Sequence, residues 1–490
     1  MNYRHLAGMT PAQSRLVAAA RDAFGPRAAV TDPDLIEPWL HDWRGRFHGA
    51  APAILQPAST AEVSRLVALA REEGVALVPQ GGNSSMVGGA TPPSDGSALI
   101  LSLRRMNGVR AISAADNLAV AEAGVILSDL HEAAATVGRR FPLTLGARGT
   151  ATIGGLCSTN AGGTQVLRFG TMRSLVAGVE AVLPNGAVHD GLAALKKDNR
   201  GYDLDQLLIG AEGTLGIITA ASLRLFPAIA ARAVGWLGLD SPEQALRVLR
   251  RLEADTEAIE SFEILPAGSL AAALAYLPDA RAPLAGQHRW HVLVEAVSTT
   301  AQGEGPSALL ERLLESMLAE GLIKDAAIAA SEAQAEALWQ LRDALSAAER
   351  AQGPAAQHDI SVPVAAMPRF MLEAAAACEA RFPGTHASGF GHLGDGNIHF
   401  HVRAAPGMSA GQWYRELAPE VSRFVHDLVV AAGGSISAEH GIGQMKRAEL
   451  ERLAAPGDLA ALRAIKAAFD PHELLNPGKL VTLAPAGATI

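Results

Sequence analysis

Three glycine-rich stretches constrain the fold of this chain more than any other sequence feature. They lie at Gly81–Gly89, Gly149–Gly163 and Gly210–Gly216. Glycine accepts positive φ angles and lets a ligand or another backbone approach closely, and successive exposed N–H groups in such loops bind anions. A single stretch of this kind is more often a plain surface turn. Three of them within one segment predict an extended diphosphate ligand that lies across several loops.

The flanking residues exclude the two commonest phosphate-binding folds. A capped helix starting at Ser59 and ending at Gly74 precedes the buried strand Val75–Pro79, which runs directly into the first stretch. That stretch has neither a Gly-x-Gly-x-x-Gly pattern nor a P-loop lysine. Further on, Val179–Val188 is predicted to be a hairpin that turns at Asn185-Gly186. The segment is therefore α+β, without a regular βαβ series.

The pattern changes after Pro227, where strands separated by helices predict an antiparallel sheet covered by helices. We therefore divide the chain into four parts by residue number: an N-terminal helical segment (1–34), a domain that carries the glycine-rich loops (35–230), a second domain (231–455) and a C-terminal segment that packs back on the first domain (456–490).

Composition excludes several classes of protein. The net charge of −9 over 490 residues argues against a general nucleic-acid surface. Two cysteines, Cys157 and Cys378, cannot form a disulfide framework or an iron–sulfur cluster. They favour a reducing compartment, and we expect the cytoplasm. Apolar runs such as Val425–Ala432 are too short to span a membrane, and the N-terminus has no leader-like apolar run.

Two further motifs carry metal-type ligands. The first holds His392 and His399 at the mouth of a predicted hairpin, and the second places Glu439 and His440 after a predicted strand, Ser435–Ala438. Two imidazoles and a carboxylate can hold a divalent cation and leave positions open for a substrate. Taken alone, a His-x6-His pair is more often a pair of hydrogen-bonded hairpin residues, and Glu439 would then be an exposed cap.

The glycine-rich stretches resemble the flavin domain of the vanillyl-alcohol-oxidase/PCMH superfamily, with its three motifs in order over residues 35–230. The resemblance implies FAD. Covalent members often carry a histidine in the first loop, where this chain has Asn83-Ser84-Ser85, so we expect non-covalent FAD. The resemblance implies flavin contacts by Pro79, Gly81, Gly82, Asn83, Ser84, Ser85, Gly88, Gly149, Thr152, Gly154, Gly155, Thr159, Gly162, Gly163, Glu212, Gly213, Gly216, Ile218 and Asn476.

Residues 230–480 resemble the C-terminal domain of FAD-linked oxidases, in their D-2-hydroxyacid dehydrogenase branch, which carries both metal-type motifs. This resemblance implies His392, His399 and Glu439 as ligands of a divalent metal, first zinc, with manganese or iron as alternatives. It also implies His440 as the catalytic base and Arg342 as the clamp for a substrate carboxylate. Without the resemblance, Arg342 would be read as a solvated helix residue.

The chain departs from relatives that act on D-2-hydroxyglutarate at three substrate-binding positions. Ser346 stands in place of threonine, Gln357 in place of lysine and His401 in place of asparagine. Because one cation is missing, D-lactate or a larger D-2-hydroxyacid is as compatible with the sequence as D-2-hydroxyglutarate.

Two other functions stay open at this point: a flavin-dependent transferase of the alkyldihydroxyacetonephosphate synthase type, and a flavoprotein subunit of a glycolate-oxidising complex. As partners we expect a small anionic substrate and an electron acceptor such as an electron-transfer flavoprotein or a quinone, but no nucleic acid. A homodimer is a family-level expectation.

Overall fold

A computed structural model describes residues 8–483. In chain order, its strands are β1 (Ala29–Val30), β2 (Ile54–Leu55), β3 (Ala76–Gln80), β4 (Ala98–Ser102), β5 (Val109–Ser113), β6 (Leu118–Glu122), β7 (Arg139–Arg140), β8 (Val176–Val182), β9 (Val188–Asp190), β10 (Ile217–Arg224), β11 (Phe226–Pro227), β12 (Ala231–Leu239), β13 (Ile259–Pro266), β14 (Trp290–Ser298), β15 (Asp325–Ile328), β16 (Ala355–Ser361), β17 (His386–His392) and β18 (Asn397–Arg403).

The helices, again in chain order, are α1 (Pro11–Phe24), α2 (Pro33–Ile36), α3 (Thr60–Glu73), α4 (Leu127–Ala135), α5 (Ile153–Thr159), α6 (Val166–Phe169), α7 (Met172–Leu175), α8 (Leu204–Leu208), α9 (Pro242–Asp255), α10 (Ala267–Tyr276), α11 (Pro306–Ala319), α12 (Glu332–Ala351), α13 (Met367–Arg381), α14 (Ala410–Gln412), α15 (Ala418–Ala431), α16 (Arg447–Leu453) and α17 (Pro456–Phe469). Short 3₁₀ turns lie at Pro26–Ala28, Glu37–Trp39 and Val364–Ala366, and a π turn lies at Trp413–Leu417.

The chain divides into two compact units. The first unit contains the described residues up to Gly162, Thr171–Phe226 and the chain from Glu439 onward, and the second contains Gly163–Gly170 and Pro227–Ala438. The sequence-based boundaries were 230 and 455. Residues 1–7 and 484–490, which belong to the predicted N- and C-terminal segments, lie outside the described residues.

The first unit is built on a mixed four-stranded sheet (β1-β2-β4-β3) and an antiparallel five-stranded sheet (β5-β6-β10-β8-β9). β4 pairs in parallel with β2 and β3, and all of its residues are buried, as parallel strands usually are. The predicted helix start is confirmed: Ser59 accepts a hydrogen bond from the Glu62 N–H, and Gly74 ends α3 with a φ of 66°. α3 packs Val63, Leu66, Val67 and Ala70 into the core of this unit.

The second unit contains the predicted antiparallel sheet. It has seven strands in the order β15-β12-β14-β13-β17-β18-β16. Successive side chains of a strand point to opposite faces. One face is apolar and contributes residues such as Phe262, Ile398 and Phe400 to a core shared with α9, α11, α13 and α15. The opposite face packs Trp236, Leu293 and Phe390 against α10 and α12.

Two local predictions had different outcomes. The hairpin of His392 and His399 is confirmed, because β17 and β18 pair antiparallel in continuous register. The strand predicted at Ser435–Ala438 is wrong, since only Ser435 forms a bridge, with Ser361. The Ser435 hydroxyl bonds the backbone N–H and carbonyl of Ser437 instead, and such local bonds compete with strand pairing.

Among the described residues, no helix is both long and apolar enough to cross a bilayer.

Candidate active site

The three glycine-rich stretches pack directly against one another in the first unit. A Cβ placed on Gly82 would overlap the carbonyl oxygen of Thr150, which joins the first stretch to the second. A Cβ on Gly213 would lie 3.0 Å from the Pro79 ring, which joins the third stretch to the first. Larger residues at these glycines would force the loops apart.

The C-terminal segment closes this group of loops. Leu77 of β3 makes two backbone hydrogen bonds with the C-terminal segment. Leu77 N donates to Leu474 O, and Asn476 N donates to Leu77 O, both at 2.8 Å. The Asn476 side-chain amide donates to Gly89 O at 2.9 Å and to Glu212 O at 2.7 Å. One amide group therefore bridges the first and third stretches.

Polar side chains share one face of the second unit's sheet, as the strand register dictates. Glu263 pairs with His392, Asp359 with His399, and Gln357 with His401. Directly opposed residues of antiparallel strands project to the same side. The pairing therefore gathers carboxylates and imidazoles from β13, β16, β17 and β18 on the face that packs against α12.

A buried triad of charged groups lies at one end of this face. Glu263 accepts a hydrogen bond from Arg342 Nε at 2.9 Å and lies 2.7 Å from His392 Nδ1. An Arg342 terminal nitrogen lies 3.0 Å from His392 Nε2. Burial alone would raise the pKa of Glu263, but the charges and hydrogen bonds of Arg342 and His392 outweigh it and lower the pKa.

His399 and His401 both lie beside the Phe390 ring on the same face. The Phe390 ring centroid lies 5.2 Å from that of His399 and 5.5 Å from that of His401. The rings of His392 and His399 are 5.6 Å apart and nearly perpendicular. Asn397 donates to Asp359 at 2.9 Å and so supports the carboxylate opposite His399.

Gln357 borders a cavity of about 390 Å³ near the start of β16. The cavity is also lined by Arg350, Gly353, Pro354, Ala355, Ala410 and Tyr414. Ser346 lies on α12, one turn after Arg342, and is half-buried.

Glu439 and His440 begin the segment of the chain that returns to the first unit, and both are half-buried. The backbone N–H groups of Ile442 and Gly443, which follow closely, donate to the Glu212 carboxylate at 2.7 Å each. The loop that carries these two candidate residues is therefore bonded to the third glycine-rich stretch.

Comparison with known families assigns both parts of the chain. Residues 229–480 match the C-terminal domain of FAD linked oxidases, and residues 51–191 match an FAD binding domain. The chain belongs to the FAD-linked oxidases.

Relatives of this FAD-linked oxidase match it almost end to end. A Xanthomonas citri D-2-hydroxyglutarate dehydrogenase is 36% identical over 92% of this chain and 93% of its own. The mitochondrial D-2-hydroxyglutarate dehydrogenase of Bos taurus is 35% identical over 94% of this chain and 83% of its own. The structure of p-cresol methylhydroxylase superposes with a TM-score of 0.74 at 14% identity, covering 97% and 98% of the two chains, which confirms the PCMH-type fold.

The polar groups of the first unit fit FAD, in agreement with the match to an FAD binding domain. Five buried side-chain oxygens of the first unit have no hydrogen-bond partner within the described residues. Four of them belong to β3 or to residues that the sequence assigned to the flavin, namely Gln80 Oε1, Asn83 Oδ1, Thr152 Oγ1 and Asn476 Oδ1, and the fifth is Thr91 Oγ1. Buried polar atoms are rarely left unpaired. A polar cofactor with N–H and hydroxyl donors would satisfy them.

The flavin-contact residues predicted from the resemblance lie in the first unit, apart from Gly163. That residue begins Gly163–Gly170, the short segment that groups with the second unit. Thr159 lies at the end of α5 and bonds the Gly155 carbonyl at 3.0 Å. Part of the second stretch is therefore helical rather than an open loop.

Sequence reasoning missed two carboxylate roles in this oxidase. Glu263 is not among the predicted site residues, although a glutamate in the middle of an apolar run is a signal of a buried polar partner. Glu212 is predicted to contact the flavin, and its carboxylate oxygens also accept hydrogen bonds from the backbone near His440. The motif pattern gave no signal of this second role.

The Glu263–Arg342 pair leads to a stability prediction. We expect Glu263→Gln to lower the free energy of unfolding by about 3 kcal/mol, because removing one partner of a buried ion pair leaves the other charge poorly compensated. Urea unfolding followed by circular dichroism measures the change. Glu304→Gln, which disrupts the exposed pair with Arg312, is the control and should cause no measurable change. Equal stability of the two variants would contradict the assigned charge compensation.

Proposed function

We propose that this chain is an FAD- and metal-dependent dehydrogenase that oxidises a D-2-hydroxyacid to the 2-oxoacid. The observation that carries the proposal is the face of the second unit's sheet on which His392, His399 and the Arg342–Glu263 pair lie together. Near-full-length similarity to D-2-hydroxyglutarate dehydrogenases supports the same reaction class.

The proposed metal ligands are His392, His399 and Glu439. His392 and His399 lie on one face of the second unit's sheet with ring centroids 5.6 Å apart, and the family resemblance supports Glu439 as the third ligand. Glu263 lies 2.7 Å from His392 Nδ1, and a carboxylate at one ring nitrogen fixes the orientation of a ligating imidazole. A metal at His392 Nε2 would displace the Arg342 terminal nitrogen that lies 3.0 Å from it. Zinc is the first candidate, and manganese or iron accepts the same ligands.

Chain connectivity further supports Glu439 as the third ligand. Ser435 and Ser361 exchange backbone hydrogen bonds at 2.8 and 3.0 Å, and Ser361 pairs with Asn397, two residues before His399. Glu439 is four residues beyond Ser435, so the backbone reach is at most about 14 Å. The bridge at Ser435 thus fixes the chain four residues before Glu439 against β16, which pairs with the strand that carries His399.

In the proposed mechanism, Arg342 binds the substrate carboxylate and His440 accepts the proton of the C2 hydroxyl. A metal held by His392, His399 and Glu439 would lower the pKa of that hydroxyl, and FAD held by the glycine-rich loops would supply the hydride acceptor. Loss of a proton to His440 and of a hydride from C2 converts the substrate to the 2-oxoacid. We expect an electron-transfer flavoprotein or a quinone to take up the two electrons. The first loop has no histidine, so we expect the FAD to be non-covalent.

The reaction is tested on purified protein mixed anaerobically with D- and L-2-hydroxyacids. We expect a D enantiomer, and not its L form, to bleach the flavin absorbance. His392→Ala and Glu439→Ala should each lose the metal, measured by mass spectrometry, and slow flavin reduction roughly 100-fold or more while flavin stays bound. His386→Ala, at the exposed start of the same strand, is the control. Full activity after thorough chelation would contradict the metal, and a flavin unreactive toward every D-2-hydroxyacid would contradict the reaction.

His440→Asn tests the base. The variant should keep metal and flavin but reduce the flavin roughly 10² to 10⁴ times more slowly, since a positioned general base typically contributes that much. Stopped-flow absorbance measures the rate constant at saturating substrate. Wild-type reduction kinetics in the variant would remove His440 from this role.

Gln357 tests the substrate's length and charge. Gln357 pairs with His401 on the sheet face that carries His399, and we propose that its side chain contacts the distal end of the substrate. We expect Gln357→Lys to raise kcat/KM for D-2-hydroxyglutarate relative to D-lactate by roughly tenfold, because a charged hydrogen bond to a second carboxylate is worth more than a neutral one. Gln352→Lys adds the same charge at the exposed end of α12 and serves as the control. An unchanged ratio would show that position 357 does not contact the distal group.

A further inference from the structure

The Glu212 carboxylate joins two segments of the first unit that lie 230 residues apart. It accepts hydrogen bonds from Ile442 N and Gly443 N, each at 2.7 Å, and the Glu212 residue is only 7% exposed. Charge-assisted bonds of this length are among the stronger hydrogen bonds in proteins. The carboxylate therefore fixes the backbone that follows Glu439 and His440.

The backbone of Glu212 also forms hydrogen bonds with residues of the flavin loops. Its N–H donates to Ser158 O at 2.7 Å, and its carbonyl accepts from the Asn476 amide at 2.7 Å. Glu212 itself has a φ of 52°, a left-handed conformation that costs free energy for a residue other than glycine. Such strain persists only where surrounding contacts hold it.

The partner loop is shaped to receive this carboxylate. Gly441 and Gly443 have φ values of 79° and 52°. A Cβ on Gly441 would lie 2.9 Å from a Glu212 carboxylate oxygen, and one on Gly443 would overlap the carbonyl oxygen of Val87. Gln444 continues the contact, since its side-chain amide donates to the carbonyls of Gly88 and Thr91 at 2.9 and 3.0 Å. Glycine is therefore required at both positions by conformation and by space.

Two buried cations offset the cost of burying Glu212. Lys446 and Lys479 are 5% and 2% exposed, and the positive charge of each favours the ionised carboxylate. Burial nevertheless dominates and raises the pKa of Glu212. The same burial lowers the pKa of Lys479 to about 8. Burying these charges around one loop lowers the stability of the fold. A role of Glu212 in holding that loop explains why the charges are buried there.

We propose that Glu212 is a positioning residue for the oxidation: its carboxylate anchors Gly441–Gly443 and thereby holds Glu439 and His440 in place relative to the flavin loops. This inference rests on the proposed function, which makes Glu439 a metal ligand and His440 the base. It departs from a flavin-contact role for the Glu212 side chain. In Glu212→Gln only one oxygen remains as an acceptor, so the Ile442 or Gly443 N–H loses its bond.

The experiment compares the FAD-loaded wild type with Glu212→Gln and with a control, Glu122→Gln. Glu122 is a carboxylate of the same unit that accepts bonds from Gly108 N and Arg110 and does not contact the loop. Amide hydrogen exchange of the peptide covering 437–446 reports the anchor without reference to activity. Single-turnover flavin reduction by a D-2-hydroxyacid across pH reports the chemistry, and dithionite reduction reports the flavin alone.

We expect Glu212→Gln to keep its FAD, to exchange the Ile442 and Gly443 amides at least about tenfold faster, and to slow substrate reduction at least about tenfold with a shifted pH midpoint. Dithionite reduction and the Glu122→Gln control should match wild type. Gly441→Ala leaves the Glu212 carboxylate intact but pushes the loop away from it, so this variant should reproduce the effect. It serves as the second variant if Glu212→Gln does not fold.

Unchanged exchange and unchanged pH dependence in the variants would overturn the proposal, as would loss of FAD with unchanged exchange, which would make Glu212 a flavin ligand. A wild-type flavin that no D-2-hydroxyacid reduces would instead contradict the proposed function, and the exchange comparison would still decide whether Glu212 anchors the loop.

Discussion

The alternation of side chains along paired strands is the constraint on which the candidate chemistry depends. In the second unit, antiparallel register aligns Glu263 with His392 and Asp359 with His399. The residues between them, such as Ile264 and Ile398, must then point into the apolar core on the other face. A slip of one residue would exchange the two sets, burying imidazoles among leucines. The same apolar positions that stabilise the sheet therefore also define which polar groups can meet.

Each unit buries a carboxylate and compensates it differently. Glu263 is paired with a guanidinium and an imidazole, which lower its pKa despite full burial. Glu212 relies on two backbone N–H groups and on lysines that interact at a distance, and burial still raises its pKa. The first arrangement suits a group that fixes charged neighbours in a site. The second suits a group that holds a loop, because backbone donors have fixed directions and bind the chain itself.

Much of the architecture could be predicted from local sequence, and the failures have physical causes. The capping residues Ser59 and Gly74 and the turn Asn185-Gly186 interact with residues close in sequence, so the helix and the hairpin could be predicted. The strand predicted at Ser435–Ala438 does not form, because the Ser435 side chain bonds the backbone groups that strand pairing would use. The ligand-bearing hairpin was predictable from its alternation, whereas the contact of Glu263 with His392 spans 129 residues and has no local signature. Long-range pairing of this kind is set by strand order, which single-sequence patterns do not encode.

Glu212 illustrates how a residue of a recognised motif can make a long-range contact that the motif does not reveal. The resemblance places this residue in a flavin-binding stretch, and its backbone does lie among those loops through Ser158 and Asn476. The carboxylate, however, has two acceptor oxygens, and both are occupied by the N–H groups of Ile442 and Gly443. A residue in a cofactor motif can thus serve the motif through its backbone and a different loop through its side chain. Because the two functions use different atoms of one residue, a substitution that changes only the carboxylate separates them.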